Sequence, residues 1–491
     1  MGAFDRTYGA DLLKKPGAII FVFLIASVIA WLTAKSGTVA GLGLMMLPFG
    51  IIFIGLVLLN PKIGLFSIFV MDFIANGLNR YVSLPWGLSI DAIFVLVYLA
   101  LFLKSFRAEV PWRNAKTDLT LLAVIWYGYV LFELLNPEAV SRLAWFYAMR
   151  GIALYMLFIV PLIFILMDKR KDLDMFLIFW ASLSILASLK GIQQHLIGVD
   201  PFEQRWLDEG GAVTHILFGK LRVFSFYSDA GQFGAAQGHT AVVFSILALN
   251  KKDNPRLRLF YGITALLGFY GMMISGTRGA IAVPLIGFAF YVFLRKNIKV
   301  MLLGLALGAS ILVFFKYTTI GNSNYTINRM RTAFDPNNAS LQVRFSNQRK
   351  LSAYLASRPF GGGIGSSGNW GLRFSPNTVL ANTPTDSWYV AIWAEQGIVG
   401  LTLHLFILFY IVIKSAYRIM FKIRDDWVRA QMSALICGIL GIMAASYGNG
   451  VLGQMPTGIL MYSSMAFLFM SEKFDKEALE EKVSEGKLLV G

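Results

Sequence analysis

The sequence has one cysteine, Cys437, in 491 residues. An intramolecular disulfide is excluded, and so is a metal site built on several thiolates. Cys437 lies in an apolar run and reads as packing. Charge is also scarce: only 15% of residues are charged, against ~25% in soluble domains. There is no internal repeat, which argues against a transporter assembled from inverted halves. There is no low-complexity linker either, so nothing divides the chain into tethered modules.

What is present is apolar. Hydrophobic residues make up 56% of the chain and the mean hydropathy is +0.62. Apolar runs of roughly 16 to 25 residues recur from end to end, each bounded by charge or turn residues. They predict an all-α, polytopic membrane protein with about fourteen transmembrane helices, near 18–34, 39–59, 63–79, 88–103, 118–135, 150–167, 172–190, 230–249, 259–275, 279–294, 298–315, 388–413, 430–448 and 456–471. The first run lacks a small-x-small cleavage site and reads as a retained helix, not a signal peptide.

The net charge of +16 would suggest nucleic acid in a soluble protein; here it fixes topology, and no nucleic-acid partner is expected. Lys14/Lys15, Lys104/Arg107/Arg113/Lys116, Lys169/Arg170/Lys171, Lys251/Lys252/Arg256/Arg258, Arg295/Lys296/Lys299 and Lys414/Arg418/Lys422/Arg424/Arg429 all fall on one side of this threading. The positive-inside rule makes that side the cytoplasm, with both termini there. Residues 1–471 then form a single membrane domain, and 472–491 a charged, solvated tail. Two long loops lie outside: 191–229, and a larger one, 316–387, expected to contain short helices.

The large outer loop carries eight basic residues between 316 and 385 (Lys316, Arg329, Arg331, Arg344, Arg349, Lys350, Arg358 and Arg373) against one acid, Asp335. Such a surface either touches anionic headgroups of membrane lipids or holds an anionic substrate. Within it, "QVRFSNQRKLSAYLASRP" predicts a helix ending before Pro359, with Val343, Leu351, Tyr354 and Leu355 as its buried side. The following "FGGGIGSSGNWG" has Gly-x-Gly-x-x-Gly spacing, but a helix precedes it and not a strand, so it reads as a turn. Arg278 sits in "ISGTRGA", a short break between two apolar runs. Either it snorkels to headgroups or its small neighbours leave the guanidinium open to a diphosphate.

Three segments taken in order, "ISGTRGAIAVPLIGFAFYVF", "RFSNQRKLSAYLASRPFGGGIG" and "TPTDSWYVAIWAEQGIVGLTLHLF", resemble the O-antigen ligase and polymerase family of bacterial envelope glycosyltransferases. "RVFSFYSDAGQFGA" adds to the likeness, which covers roughly residues 220 to 415. The resemblance implies an inner-membrane enzyme acting at the periplasmic face. Its donor is a glycan on undecaprenyl diphosphate, and its acceptor is lipid A–core or another lipid-linked glycan. The transfer is metal-independent, inverts the anomeric centre and uses no cofactor. Arginines hold the diphosphate in such enzymes, which implies that role for Arg278 and Arg344, and less directly for Arg222 and Arg150. Where many ligases have a histidine base before the helix that follows the loop, this chain has Asp386. That departure leaves a polymerase at least as well supported as a ligase.

Asp386 stands at a helix entry, so it is either the base or an N-cap. Glu395 should point to nearly the opposite side of a straight helix, about 13 Å deeper, and reads as structural. His404 should lie about 27 Å beyond Asp386, near the cytoplasmic end. His239 reads as structural; His195 and His215 belong to the first outer loop and could touch acceptor sugar. Trp370, Trp388, Tyr389 and Trp393 either stack on sugars or form an interfacial belt. The competing class is a glycolipid flippase or polysaccharide exporter, which would place charges deep within several helices.

Overall fold

The computed structural model describes residues 16–36, 38–217, 219–323, 325–332 and 339–484. Lys14, Lys15, Asp335 and residues 485–491 lie outside the described residues. The protein is all-α and polytopic, with one two-stranded ribbon pairing Ile216–Leu217 with Lys220–Leu221 among the described residues. Every one of the fourteen predicted stretches is helical. Among the described residues, eight helices are long and apolar enough to cross a membrane, and several shorter apolar helices accompany them.

The chain divides into two compact units, 1–65 with 93–109, and 66–92 with 110–491. In the smaller, a Cβ at Gly64 would meet Val97 and Val57 at 2.4 and 2.9 Å, so the two chain segments are packed to near contact. In the larger, helix Ala230–Asn250 is the centre. Asp229 starts it by accepting the amides of Gly231 and Gln232 at 2.7 and 3.0 Å. Its first fifteen residues are all buried, including Gln232, Gln237, His239 and Thr240. Helix Pro255–Ile274 lies against it. A Cβ at Gly268 would sit 2.9 Å from Ala241 N, so only a bare backbone allows that approach.

Two local expectations fail. Val343 is exposed, and the buried side of helix Ala339–Leu355 is made by Leu351 and Leu355 with Tyr354 beside them. The second failure concerns the described part of the charged tail, which is docked and not simply solvated. Ser471–Ser484 is a docked helix with Phe474, Asp475 and Ala478 buried. Arg170 pairs with Glu481, Lys473 with Asp168 at 2.7 Å, Arg418 with Glu472 at 3.0 Å and Lys482 with Asp425 at 2.6 Å. Its charges are therefore complementary to three other helix ends. Asp475 Oδ1 accepts the amides of Arg424 and Asp425 at 2.9 and 2.7 Å. Asp475→Ala leaves both amides without that acceptor and should destabilise the protein by about 2 kcal/mol or more, read as a lowered thermal unfolding temperature in detergent.

Candidate active site

The arginines gather around one tight turn. Helix Pro255–Ile274 ends at Ser275, whose hydroxyl accepts the Thr277 amide at 3.1 Å, and Gly276 turns the chain at φ +58°. Thr277 Oγ1 donates to Ala230 O at 2.8 Å and accepts Arg222 Nη2 at 3.0 Å. Arg222 Nη1 also donates to Thr214 O at 3.0 Å. From the large loop, Arg329 Nε donates to Gly276 O at 2.5 Å, and Arg278 Nη1 reaches Thr332 Oγ1 at 3.2 Å. A Cβ at Gly448 would lie 3.7 Å from Arg344 Nη1 and 4.0 Å from Gly279 Cα, which sets Arg344 beside the same turn. Among the described residues, the charges that act on Arg278 are those of Arg329 and Arg344, both repulsive. Cations held this close lower one another's stability unless an anion joins them.

Asp386 adjoins this cluster. Its Oδ2 lies 3.8 Å from Arg344 Nε, and its side chain is 47% exposed. It does not cap the following helix. Ser387 does: its hydroxyl accepts the Val390 amide at 3.5 Å and donates to Ser446 O at 3.2 Å. Asp386 itself takes the left-handed conformation, φ +50°, which non-glycine residues adopt at a cost. Asp386 also lines a cavity of about 390 Å³, whose other walls include Tyr147, Arg150, Trp370, Trp388 and Gln454. Arg150 is committed there to Asp91, at 2.8 Å. It stands in a short π-helical turn, Arg150–Leu154, an irregularity that lets the helix re-aim a side chain.

Residues 263–405 match the O-antigen ligase family. This supports a membrane protein of O-antigen ligase type, engaged in polysaccharide biosynthesis, with lipid-linked glycan and acceptor as its substrates. No curated protein matches the chain. The O-antigen ligase segment contains Arg278, Arg329, Arg344, Asp386, Glu395 and His404, whereas Arg150 and Arg222 fall before it.

Glu395 is structural in a specific way. Its Oε2 accepts Gly365 N at 3.0 Å, and its Oε1 accepts Ser367 N at 3.2 Å and Ser367 Oγ at 2.7 Å. The buried carboxylate thus anchors the glycine-rich segment of the large loop, and through it the wall of the cavity. Two backbone bonds, Gly362 N to Ala394 O at 3.0 Å and Gly363 N to Glu395 O at 2.9 Å, extend the same seam.

The long helix Trp388–Phe421 is not a straight rod. Gly397 has φ +65° and ψ −167°, which breaks it. His404 consequently lies beside its beginning: Trp388 Nε1 donates to His404 Nε2 at 3.0 Å. Sixteen residues of unbroken helix would separate them by about 24 Å. The expected position of His404 near the far end of the span is therefore overturned by the break. His239 is buried against Trp180, away from the cavity walls. His195 is exposed. His215 is buried between Trp206 and Phe224; its Nδ1 lies 2.9 Å from Gly211 O and its Nε2 accepts the Ala230 amide at 3.3 Å. Burial, ahead of the cations Arg222 and Arg80, holds its pKa below the ordinary imidazole value.

Sequence reasoning missed Arg329 as a member of the arginine group, since nothing distinguishes it from the other basic residues of the loop. Of the aromatic candidates, Tyr389 OH donates to Met443 O at 2.7 Å and Trp393 packs on the Leu351–Leu355 cluster. Trp388 is held by His404, and Trp370, stacked on Tyr147, lines the cavity beside Asp386.

Proposed function

We propose that this protein is a metal-independent, inverting glycosyltransferase. It moves a glycan from undecaprenyl diphosphate to an acceptor hydroxyl at the periplasmic face of the bacterial inner membrane. Asp386 takes the proton of the acceptor hydroxyl. The freed oxygen attacks the anomeric carbon, the bond from that carbon to the diphosphate oxygen breaks, and undecaprenyl diphosphate leaves. Arg278 and Arg344, joined by Arg222 and Arg329, bind the diphosphate and neutralise the charge it gains. The observation that carries this reading is Arg344: it sits beside the Arg278 turn and 3.8 Å from Asp386, so the base and the anion site share one residue.

Arg278 tests the donor half. Arg278→Ala should lower transfer by roughly 10²-fold or more, the usual loss on removing one preorganised charge donor. Arg278→Lys should recover only part of it, because an ammonium cannot bind two phosphate oxygens in a fork. The assay is product formation by the full chain in nanodiscs with a lipid-linked donor. In cells, lipid-linked glycan should accumulate on the outer leaflet of the inner membrane. Accumulation on the inner leaflet would favour a flippase, and unaltered glycan would remove the enzymatic reading. Single repeats on the carrier lipid would indicate a lost polymerase; long unattached polymer would indicate a lost ligase.

A further inference from the structure

The cavity beside Asp386 has a flat aromatic wall. Trp370 and Phe374 lie one helical turn apart on helix Gly368–Phe374. The Tyr147 ring stacks on both, at 4.9 Å and 17° from Trp370 and at 5.6 Å and 12° from Phe374. Trp370 and Phe374 are themselves near-parallel, 20° apart. The guanidinium of Arg373 lies 5.2 Å from the Phe374 ring, and that of Arg150 lies 5.4 Å from the Tyr147 ring. Glu395 fixes Ser367 immediately before this helix, so the rings are held on a rigid base. Tyr147 and Trp370 are cavity walls, whereas Arg222, Arg278 and Arg329 are not.

The cavity therefore differs from the arginine cluster in chemistry. It combines ring faces with Asn369, Gln454 and Arg150, the last paired with Asp91 behind it, and its volume of about 390 Å³ suits a small polar ligand. Rigid aromatic faces among hydrogen-bonding groups suit a sugar ring, which has an apolar C–H face and a polar rim. Asp91 compensates the charge of Arg150, and Glu395 is committed to three donors, so nothing in the cavity favours an acidic sugar.

We propose that the terminal sugar of the acceptor, a neutral pyranose, binds in this cavity with Trp370 as its platform. This rests on the reading of Asp386 as the base and adds the side from which the acceptor arrives. The donor diphosphate occupies the arginine side, the acceptor sugar occupies the Trp370 side, and Asp386 stands where the two meet. Trp370 is then a residue that selects and orients the acceptor.

The test is saturation-transfer NMR on the full chain in nanodiscs with methyl β-D-glucoside and methyl β-D-galactoside as probes. At least one should receive saturation on its ring protons. Trp370→Ala should weaken that binding roughly tenfold, the loss expected from one aromatic contact, and Trp370→Phe should retain most of it. Asn369→Trp, an exposed position on the cavity wall, should block the probe while leaving the three-ring stack in place. Arg278→Ala should leave the signal unchanged. Equal binding by wild type, Trp370→Ala and Asn369→Trp would overturn the proposal, as would a signal that requires Arg278. Sugar binding that needs Trp370 alongside full transfer by Asp386→Asn would sink the base and keep the platform; the reverse pattern would sink the platform alone.

Discussion

Asp386→Asn should lower glycan transfer by roughly 10²- to 10⁴-fold, the span usually contributed by a positioned general base. The amide keeps the size of the side chain and can still touch Arg344, but it cannot take the acceptor proton. Because Ser387 and not Asp386 caps helix Trp388–Phe421, the substitution leaves the helix start intact. Stability should therefore stay within about 0.5 kcal/mol of wild type, as for most partly exposed positions. Binding of undecaprenyl diphosphate should persist, since Arg278 and Arg329 are untouched. The measurement pairs a single-turnover transfer assay with donor binding by the same preparation. Lost transfer with retained donor binding is the expected pattern. Full transfer by the Asn variant would remove Asp386 from the chemistry.

Gly397→Ala should be the most damaging single change to the fold of this region. The backbone there, φ +65° and ψ −167°, is a conformation open essentially to glycine alone. A Cβ would meet Pro359 O at 2.0 Å and Gly361 N at 2.5 Å, both backbone atoms that cannot swing aside. The strain and the overlap together should cost about 3 kcal/mol or more. Relief would push the Pro359–Gly363 segment off the helix and loosen the seat of Glu395. Transfer activity should fall with stability, unlike in Asp386→Asn. Thermal unfolding and protease susceptibility of the loop distinguish the two variants.

The helices were legible because lipid demands long apolar runs, and each run in the sequence became a helix. The break at Gly397 was not. Its residue lies in "AEQGIVGL", where an apolar helix simply continues through a glycine by local propensity. The turn exists because Gly361 and Pro359, nearly forty residues earlier, press against it. That one tertiary contact moved His404 from a distant position to the side of Trp388. Asp386 and Ser387 pose a different limit. Both residue types cap helices well, so "TDSW" alone cannot say which one does. Ser387 does, by accepting the Val390 amide, and the carbonyl of Ser446, to which its hydroxyl donates, holds it in place. The terminal helix Ser471–Ser484 looked solvated because the groups that hold most of its charges are remote in sequence. Its partners, Asp168, Arg170, Arg418 and Asp425, lie between 54 and 311 residues away along the chain. Arg278 and Arg344 were legible as candidates by their residue type and setting, whereas Arg329 needed its bond to Gly276 to be noticed.

The break at Gly397 also bears on how this segment fits its solvent. An unbroken helix of thirty-four residues would be about 51 Å long, far more than the ~30 Å of hydrocarbon in a bilayer. Such a rod would have to tilt steeply or thicken the lipid around it. Folding back after nine residues leaves 398–421 as the stretch that must traverse, about 36 Å, which an ordinary tilt accommodates. The short arm before it is then free to rest at the water boundary, where a carboxylate at its entry keeps its hydration.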